Sequence, residues 1–185
     1  SGLAQLNELA KTEFKDQPGF IDKLRQLEPT LDYDAVFAKS MAGRPVVLGY
    51  YLSSDSDART SGVLPAPVLA KSDISGRQVS ATVWSGYGSN IESLARAAPL
   101  AGHFNPIIDA DGVVRSLPLI AEYKGEYFES LSLAVFRLLT GMPGVGVAFS
   151  NEGYLSRSKQ GLDRVVLKQG EKSLGIPVDD RVTTL

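Results

Sequence analysis

Residues 101–123 constrain the fold more tightly than any other stretch of the chain. Two apolar runs, 101–108 and 113–123, are separated by Asp109-Ala110-Asp111-Gly112. A short Asp-rich step ending in glycine between apolar runs predicts two antiparallel strands joined by a tight turn, with Gly112 taking a positive φ. Asp109, Asp111 and Gly112 are therefore assigned to a structural turn. The segment that follows, "EYFESLSLAVFRLLTG" (126–141), places Leu131, Leu133 or Ala134, and Leu138 at helical spacing before a terminal glycine. A hairpin leading straight into an amphipathic helix has to bury both apolar faces in one core.

The acidic turn also invites a calcium reading, which fails on ligand count. An EF-hand loop starting at Asp109 needs an oxygen ligand at its fifth position, glycine at the sixth and glutamate at the twelfth. Here those positions hold Val113, Val114 and Ile120, and the glycine falls at the fourth. No metal ligand is assigned. Arg115 is expected to pair with Asp109 or Asp111 across the turn.

The flanking sequence supplies the remaining elements. Leu3, Leu6, Leu9, Ala10 and Phe14 recur at helical spacing. A second helix carrying Phe20, Ile21, Leu24 and Leu27 is predicted after a cap at Asp16, ending before Pro29 because the residue ahead of proline avoids helical dihedrals. A third starts after Asp32, presents Tyr33, Val36, Phe37 and Met41, and ends at Gly43. Residues 46–52 form a continuous apolar and aromatic run that suits a buried strand. A polar, Gly/Pro-punctuated loop follows, then an alternating strand at 77–84, a turn-rich loop, and a short helix over 90–98 with Asn90 as cap. From 145 onward the pattern is β, with a hairpin at "KQGEKS". The expected fold is α/β: a mixed β-sheet covered by helices, with N-terminal helices, a central β-hairpin and a C-terminal β-rich portion.

Several function classes are excluded or weakened. The net charge is −2, and the 19 basic residues form no run, so a nucleic-acid surface is not expected. The absence of cysteine removes thiolate zinc sites, iron–sulfur clusters and thiol nucleophiles. No segment approaches the ~18 consecutive apolar residues of a membrane span, so the segment is expected to be soluble. A phosphate-binding Gly-Lys-Ser/Thr loop is missing. "GVGVAF" (144–149) has Phe149 where a dinucleotide loop needs its third glycine, and no cofactor is implied. Carboxylate pairs Asp32/Asp34, Asp55/Asp57 and Asp179/Asp180 read as solvated loops or helix caps.

His103 is the only histidine. It would serve a Ser-His-Asp hydrolase, yet the Gly-x-Ser-x-Gly elbow is absent and "WSGYG" matches it only loosely. Such an enzyme, a small α/β hydrolase using His103, requires a serine or carboxylate bonded to that ring in a cleft. Otherwise His103 is a core side chain, or a pH sensor by virtue of its ordinary pKa near 6.5. No catalytic residue is assigned. A small-molecule pocket, if present, would draw aromatic walls and a few polar groups from Tyr50, Tyr51, Trp84, His103, Asn105 and Arg115.

"AGHFNPIIDADGVVRSLPLI" followed by "EYFESLSLAVFRL" resembles the central signature of the second class of CHASE domains, the extracellular sensors associated with cyclases and histidine kinases. That pattern runs Gly, an aromatic or His, Phe-Asn, an apolar strand, Asp-x-Asp-Gly-x-x-Arg, a second apolar strand with proline, and a helix containing Ser-Leu. Gly102, Phe104, Asn105, Asp109, Asp111, Gly112, Val113, Arg115, Pro118, Ser130, Leu131 and Ala134 occupy it. "LDYDAVFAKSMAGRPVVLGYYL" and "SGVLPAPVL" resemble versions found ahead of bacterial adenylate cyclase domains, and "VVLKQGEKSLGIPVDDRVTTL" resembles the family's closing hairpin. The resemblance implies a periplasmic or extracellular sensor that binds a small-molecule ligand. It implies a membrane-anchored, homodimeric parent whose cytoplasmic output is a nucleotide cyclase, or alternatively a histidine or Ser/Thr kinase. Residues 1–185 are expected to be one sensor domain excised from a larger one.

Overall fold

A computed structural model describes residues 2–54, 56–74, 77, 79–149, 162–179 and 181–184. Of the residues singled out above, Asp55 and Asp180 lie outside that set, as does Gln78 of the strand expected at 77–84. The fold class is α/β, and among the described residues the strands divide among four small sheets instead of forming one.

Three helices open the chain, α1 (Gly2–Thr12), α2 (Pro18–Leu31) and α3 (Tyr33–Met41). Asp16 does not cap α2. Pro18 occupies the first turn instead, where its missing N–H is no loss and its fixed φ suits a helix. Pro29 lies inside α2, contrary to expectation. It falls in the last turn, so only the Arg25 carbonyl loses its usual donor, while the Thr30 hydroxyl donates to the Leu27 carbonyl at 2.7 Å. Asp32 ends α2 and caps α3 by accepting from the Ala35 N–H at 3.0 Å. The predicted apolar faces are mostly open. Ala10, Leu24 and Met41 are the buried residues of these helices, whereas Leu27, Tyr33, Val36 and Phe37 are exposed.

The first sheet combines β1 (Val47–Ser53), β2 (Thr60–Ser61), β5 (Gly86–Gly88) and β6 (Leu100–His103) in the order β2-β5-β1-β6. β1 and β6 run parallel, with Tyr50 opposite His103. Their crossover contains α4 (Glu92–Ala97). Asn90 does not cap α4; its amide donates to the Gly49 carbonyl at 3.0 Å, fastening the helix approach to β1.

The second sheet is β3-β10-β9-β4, built from β3 (Leu69–Ala70), β4 (Val83–Trp84), β9 (Ile120–Tyr123) and β10 (Glu126–Glu129). The expected strand at 77–84 reduces to β4. The helix expected from 126 begins later, as α5 (Leu131–Leu139). "EYFE" pairs as a strand because Lys124-Gly125, both at positive φ, turn it back onto β9. Ser130 caps α5, accepting from the Leu133 N–H. The helix closes with the Met142 N–H on the Arg137 carbonyl, the Gly141 N–H on the Leu138 carbonyl, and Gly141 at φ 86°.

The predicted hairpin joins β7 (Ile107–Ile108) to β8 (Val114–Pro118), and β14 (Thr183–Thr184) completes that sheet. Gly112 takes φ 81°, with nothing near its missing Cβ, so the backbone conformation and not crowding calls for glycine. The last sheet is a meander of β11 (Gly144–Phe149), β12 (Leu162–Gln169) and β13 (Lys172–Pro177), with the "KQGEKS" hairpin between the last two.

Two apolar clusters hold these layers. One gathers Leu119, Ile120, Tyr127, Leu133, Val165 and Val182 where β9, β10, α5 and β12 meet. The other faces the first sheet against the second, with Tyr50 and Leu52 against Ala121, Tyr123 and Phe128. Tyr87 meets Tyr123 edge-on at 5.4 Å between ring centres, which ties β5 to β9 across that boundary.

Candidate functional site

Strand alternation sends Tyr50 and Leu52 inward and Tyr51 to the outer face of β1. Tyr51 is half-exposed, and its ring covers Gly88 on the neighbouring strand, where any Cβ would strike it. Tyr50 and the pocket candidate His103 face each other edge-on across β1 and β6, their ring centres 6.5 Å apart. Both are fully buried. His103 also bridges to Ser130, so the end of β6 abuts the corner between β10 and α5. Gly102 permits this approach: a Cβ there would lie 2.5 Å from Leu131 Cα and N and from the Ser130 carbonyl carbon. Gly102→Ala is expected to destabilise the protein by about 1–3 kcal/mol, because backbone meets backbone and no side chain can give way. A lowered urea midpoint with an unchanged slope would show this.

At the same corner Glu129 and Arg137 form an ion pair, with side chains 4% and 12% exposed. Arg137 also donates from Nε to the Pro143 carbonyl at 2.9 Å. The pair links the end of β10, the last turn of α5 and the loop beyond. Burial raises the Glu129 carboxyl above its usual range, against the pull of the Arg137 guanidinium. Burial also raises the Tyr50 phenol, helped by the charge of Glu129. Burial pushes His103 down to about 4.

The buried side-chain atoms without a hydrogen-bond partner among the described residues are Tyr50 Oη, Trp84 Nε1, both His103 ring nitrogens and Glu129 Oε2. All belong to this corner or to the aromatic cluster beside it, where Trp84 packs against the group containing Tyr50. An unmet buried polar atom costs about 1–3 kcal/mol. The seam between the two sheets is thus the least satisfied part of the described interior.

The six pocket candidates do not converge on one cavity. Tyr50, His103 and Trp84 gather at the seam. Asn105 sits at part-buried depth, and its amide is bonded through both its oxygen and its nitrogen, accepting from the Leu52 N–H at 2.8 Å and donating to the Leu52 carbonyl at 2.7 Å. It continues the parallel pairing beyond β6 by imitating a peptide unit. Tyr51 lies on the opposite face. Arg115 stays in the hairpin, bonded to both carboxylate oxygens of Asp111 and to Asp109. That contact holds the Asp111 carboxyl below its usual range. A concavity of about 660 Å³ runs beside Arg115 and Ser116 toward Asp179 and Thr183, but Arg115 is engaged with the aspartates and Asp179 with Thr183.

The hydrolase alternative lacks its geometry. No hydroxyl or carboxylate among the described residues bonds to His103, and the ring is shut away from solvent. The Ser130 hydroxyl contacts Ser132 and the Leu133 N–H instead. Helical periodicity carries "EYFES" into α5 and so hides the pairing of Glu129 with Arg137, whereas Ser130 is visible as a signature residue. A charged pair interrupting the apolar run "YFESLSLAVFR" was the available signal.

A family model, the CHASE2 domain, matches residues 8–181. The chain belongs to the CHASE2 family. CHASE2 domains are extracellular sensory domains, and the chain is accordingly a sensor domain and not a catalytic one. No curated protein and no solved structure matches it. The CHASE2 signature over 102–136 maps onto β6, the hairpin, β9, β10 and the start of α5. It frames the seam: Gly102 and Ser130 make the close approach, and Asn105 anchors the strand end.

Proposed function

We propose that this CHASE2 domain belongs to the periplasmic sensor of a bacterial transmembrane receptor, with residues 1–185 all part of one domain, and that the sensor controls a cytoplasmic nucleotide cyclase. The match over 8–181 carries the sensor reading. The cyclase output rests on the likeness of "LDYDAVFAKSMAGRPVVLGYYL" and "SGVLPAPVL" to sensors that precede adenylate cyclase domains. A signal acts by binding two conformations of the sensor unequally, and the difference reaches the output through the membrane. Cyclase sites of this class form between subunits, so the parent is a homodimer. The alternative output is a histidine or Ser/Thr kinase.

The test is on the natural full-length gene product in isolated membranes. Protease added to spheroplasts should cut within this segment while the output domain stays protected, and the membranes should form cyclic AMP or cyclic GMP from the nucleoside triphosphate. Protection of the segment in spheroplasts would overturn the location. Transfer of the γ-phosphate to protein, with no cyclic nucleotide formed, would replace the cyclase by the kinase.

A further inference from the structure

His103 stands where the two sheets meet, its backbone bridged to Ser130 and both its ring nitrogens without a hydrogen bond among the described residues. A neutral imidazole offers one donor and one acceptor; a protonated one offers two donors and a charge. The ionisable groups on the elements packed around it can be named one by one, and burial alone shifts the ring. From β1 comes the Tyr50 phenol, from β10 the Glu129 carboxylate, and from α5 the Arg137 guanidinium, which is committed to Glu129. The rest of β6 is Leu-Ala-Gly. Glu129 Oε2 is the one acidic atom of this corner left without a partner, and it does not reach the ring.

We propose that this seam is a proton-operated joint: protonation of His103 parts β6 from the β10–α5 corner, and the sensor thereby answers acidification of the compartment it faces. The proposal rests on the sensor reading and assigns it a signal, the proton. Closed, the joint surrounds the ring with apolar and unmet polar groups, and burial holds its pKa at about 4. Opened to water, the ring returns to its ordinary range near 6.5. The ratio of those proton affinities, about 300-fold, bounds how far acid can shift the closed–open equilibrium. At this edge the sheets are joined by the His103–Ser130 bridge and by side-chain packing, with no shared ladder, while β4 runs through Ser85 into β5 and holds them together elsewhere, so a parting at His103 need not separate the sheets.

The protein has one histidine and one tryptophan, and Trp84 packs on the cluster containing Tyr50. The His103 ring-proton NMR shift and the Trp84 emission can therefore be followed in one sample from pH 8 to pH 4, with far-UV circular dichroism as the measure of retained structure. The expected result is that both signals move together and reversibly below pH 6 while the dichroism holds, and that His103→Gln abolishes the Trp84 change. Three results would overturn the proposal: His103 titrating with Trp84 unmoved, the same Trp84 transition in His103→Gln, or loss of dichroism in step with the titration. Should His103→Gln not fold, coincidence of the two wild-type curves decides. No output domain enters this experiment, so its failure leaves the sensor reading standing. A working joint in a full-length receptor whose output ignores the same pH range would refute the sensory link.

Discussion

Arg137→Ala is expected to lower the unfolding free energy by about 3–5 kcal/mol, the cost of leaving one member of a buried ion pair alone. Natural domains are stable by only about 5–15 kcal/mol, so this single change removes a large share. The reason is local. Glu129 is 4% exposed, and one of its oxygens already lacks a partner. Without the guanidinium the other oxygen is orphaned too, and the Pro143 carbonyl loses its donor. The pH dependence carries the sign. Burial raises the Glu129 carboxyl even with Arg137 opposing it, so removing Arg137 raises it further. A carboxyl whose folded pKa is raised is penalised once the unfolded chain has lost its proton, so stability falls as pH rises above the ordinary carboxylate range. The variant should therefore lose more at pH 7 than at pH 5. Urea midpoints at the two pH values measure it; a loss below about 1 kcal/mol, typical of a surface pair, would show that the pair is not sealed.

Local rules placed what local sequence determines. The turn at Asp109–Gly112 followed from residue chemistry alone, since a glycine at positive φ and short acidic side chains specify it whatever surrounds them. Asp32 capping α3 is of the same kind. Periodicity failed where long-range pairing overrides it. "EYFE" continues a helical pattern into α5, but β9 lies within reach of a tight turn and claims those four residues as a strand. Asn90 has the chemistry of a cap, yet the Gly49 carbonyl, 41 residues away in sequence, takes its amide. Division into four sheets is likewise invisible in a linear pattern, because each strand reads alike whichever neighbour it pairs with. Of the six pocket candidates, Tyr50, Trp84 and His103 lie at the seam, whereas the side chains of Tyr51, Asn105 and Arg115 serve Gly88, Leu52 and the hairpin. An aromatic or amide can be recognised in a sequence; its partner cannot.

Between pH 7 and pH 5 the wild-type protein with its seam closed should lose about 2 kcal/mol more stability than His103→Gln, and about 3 kcal/mol more by pH 4, and opening of the joint reduces both figures. His103 is fully buried, with a pKa lowered from 6.5 to about 4 by burial. Below pH 6.5 the unfolded chain takes up a proton that the closed fold refuses. Stability is therefore intact above that value, falls through the window down to about 4, and levels off below it. Carboxylates complicate the acid limb of the raw curve. At Asp179 burial works upward but is outweighed by its bonds from Thr183 and Arg181, and at Asp111 the bond from Arg115 leads; both are held below their usual range, and their contribution is lost as acid protonates them. Glu129 runs the other way. All three are present in His103→Gln, so subtracting the two urea curves at each pH leaves the histidine's share. A difference that stays flat from pH 7 to pH 4 would mean that the ring finds a partner for its charge inside the closed fold, and the joint would then have no reason to open. A difference that follows this course all the way to pH 4 would mean that the folded protein still refuses the proton, whereas one that stops growing short of it, with dichroism retained at pH 5, marks the seam opening to take the proton up, since no other histidine exists to account for a slope in that window.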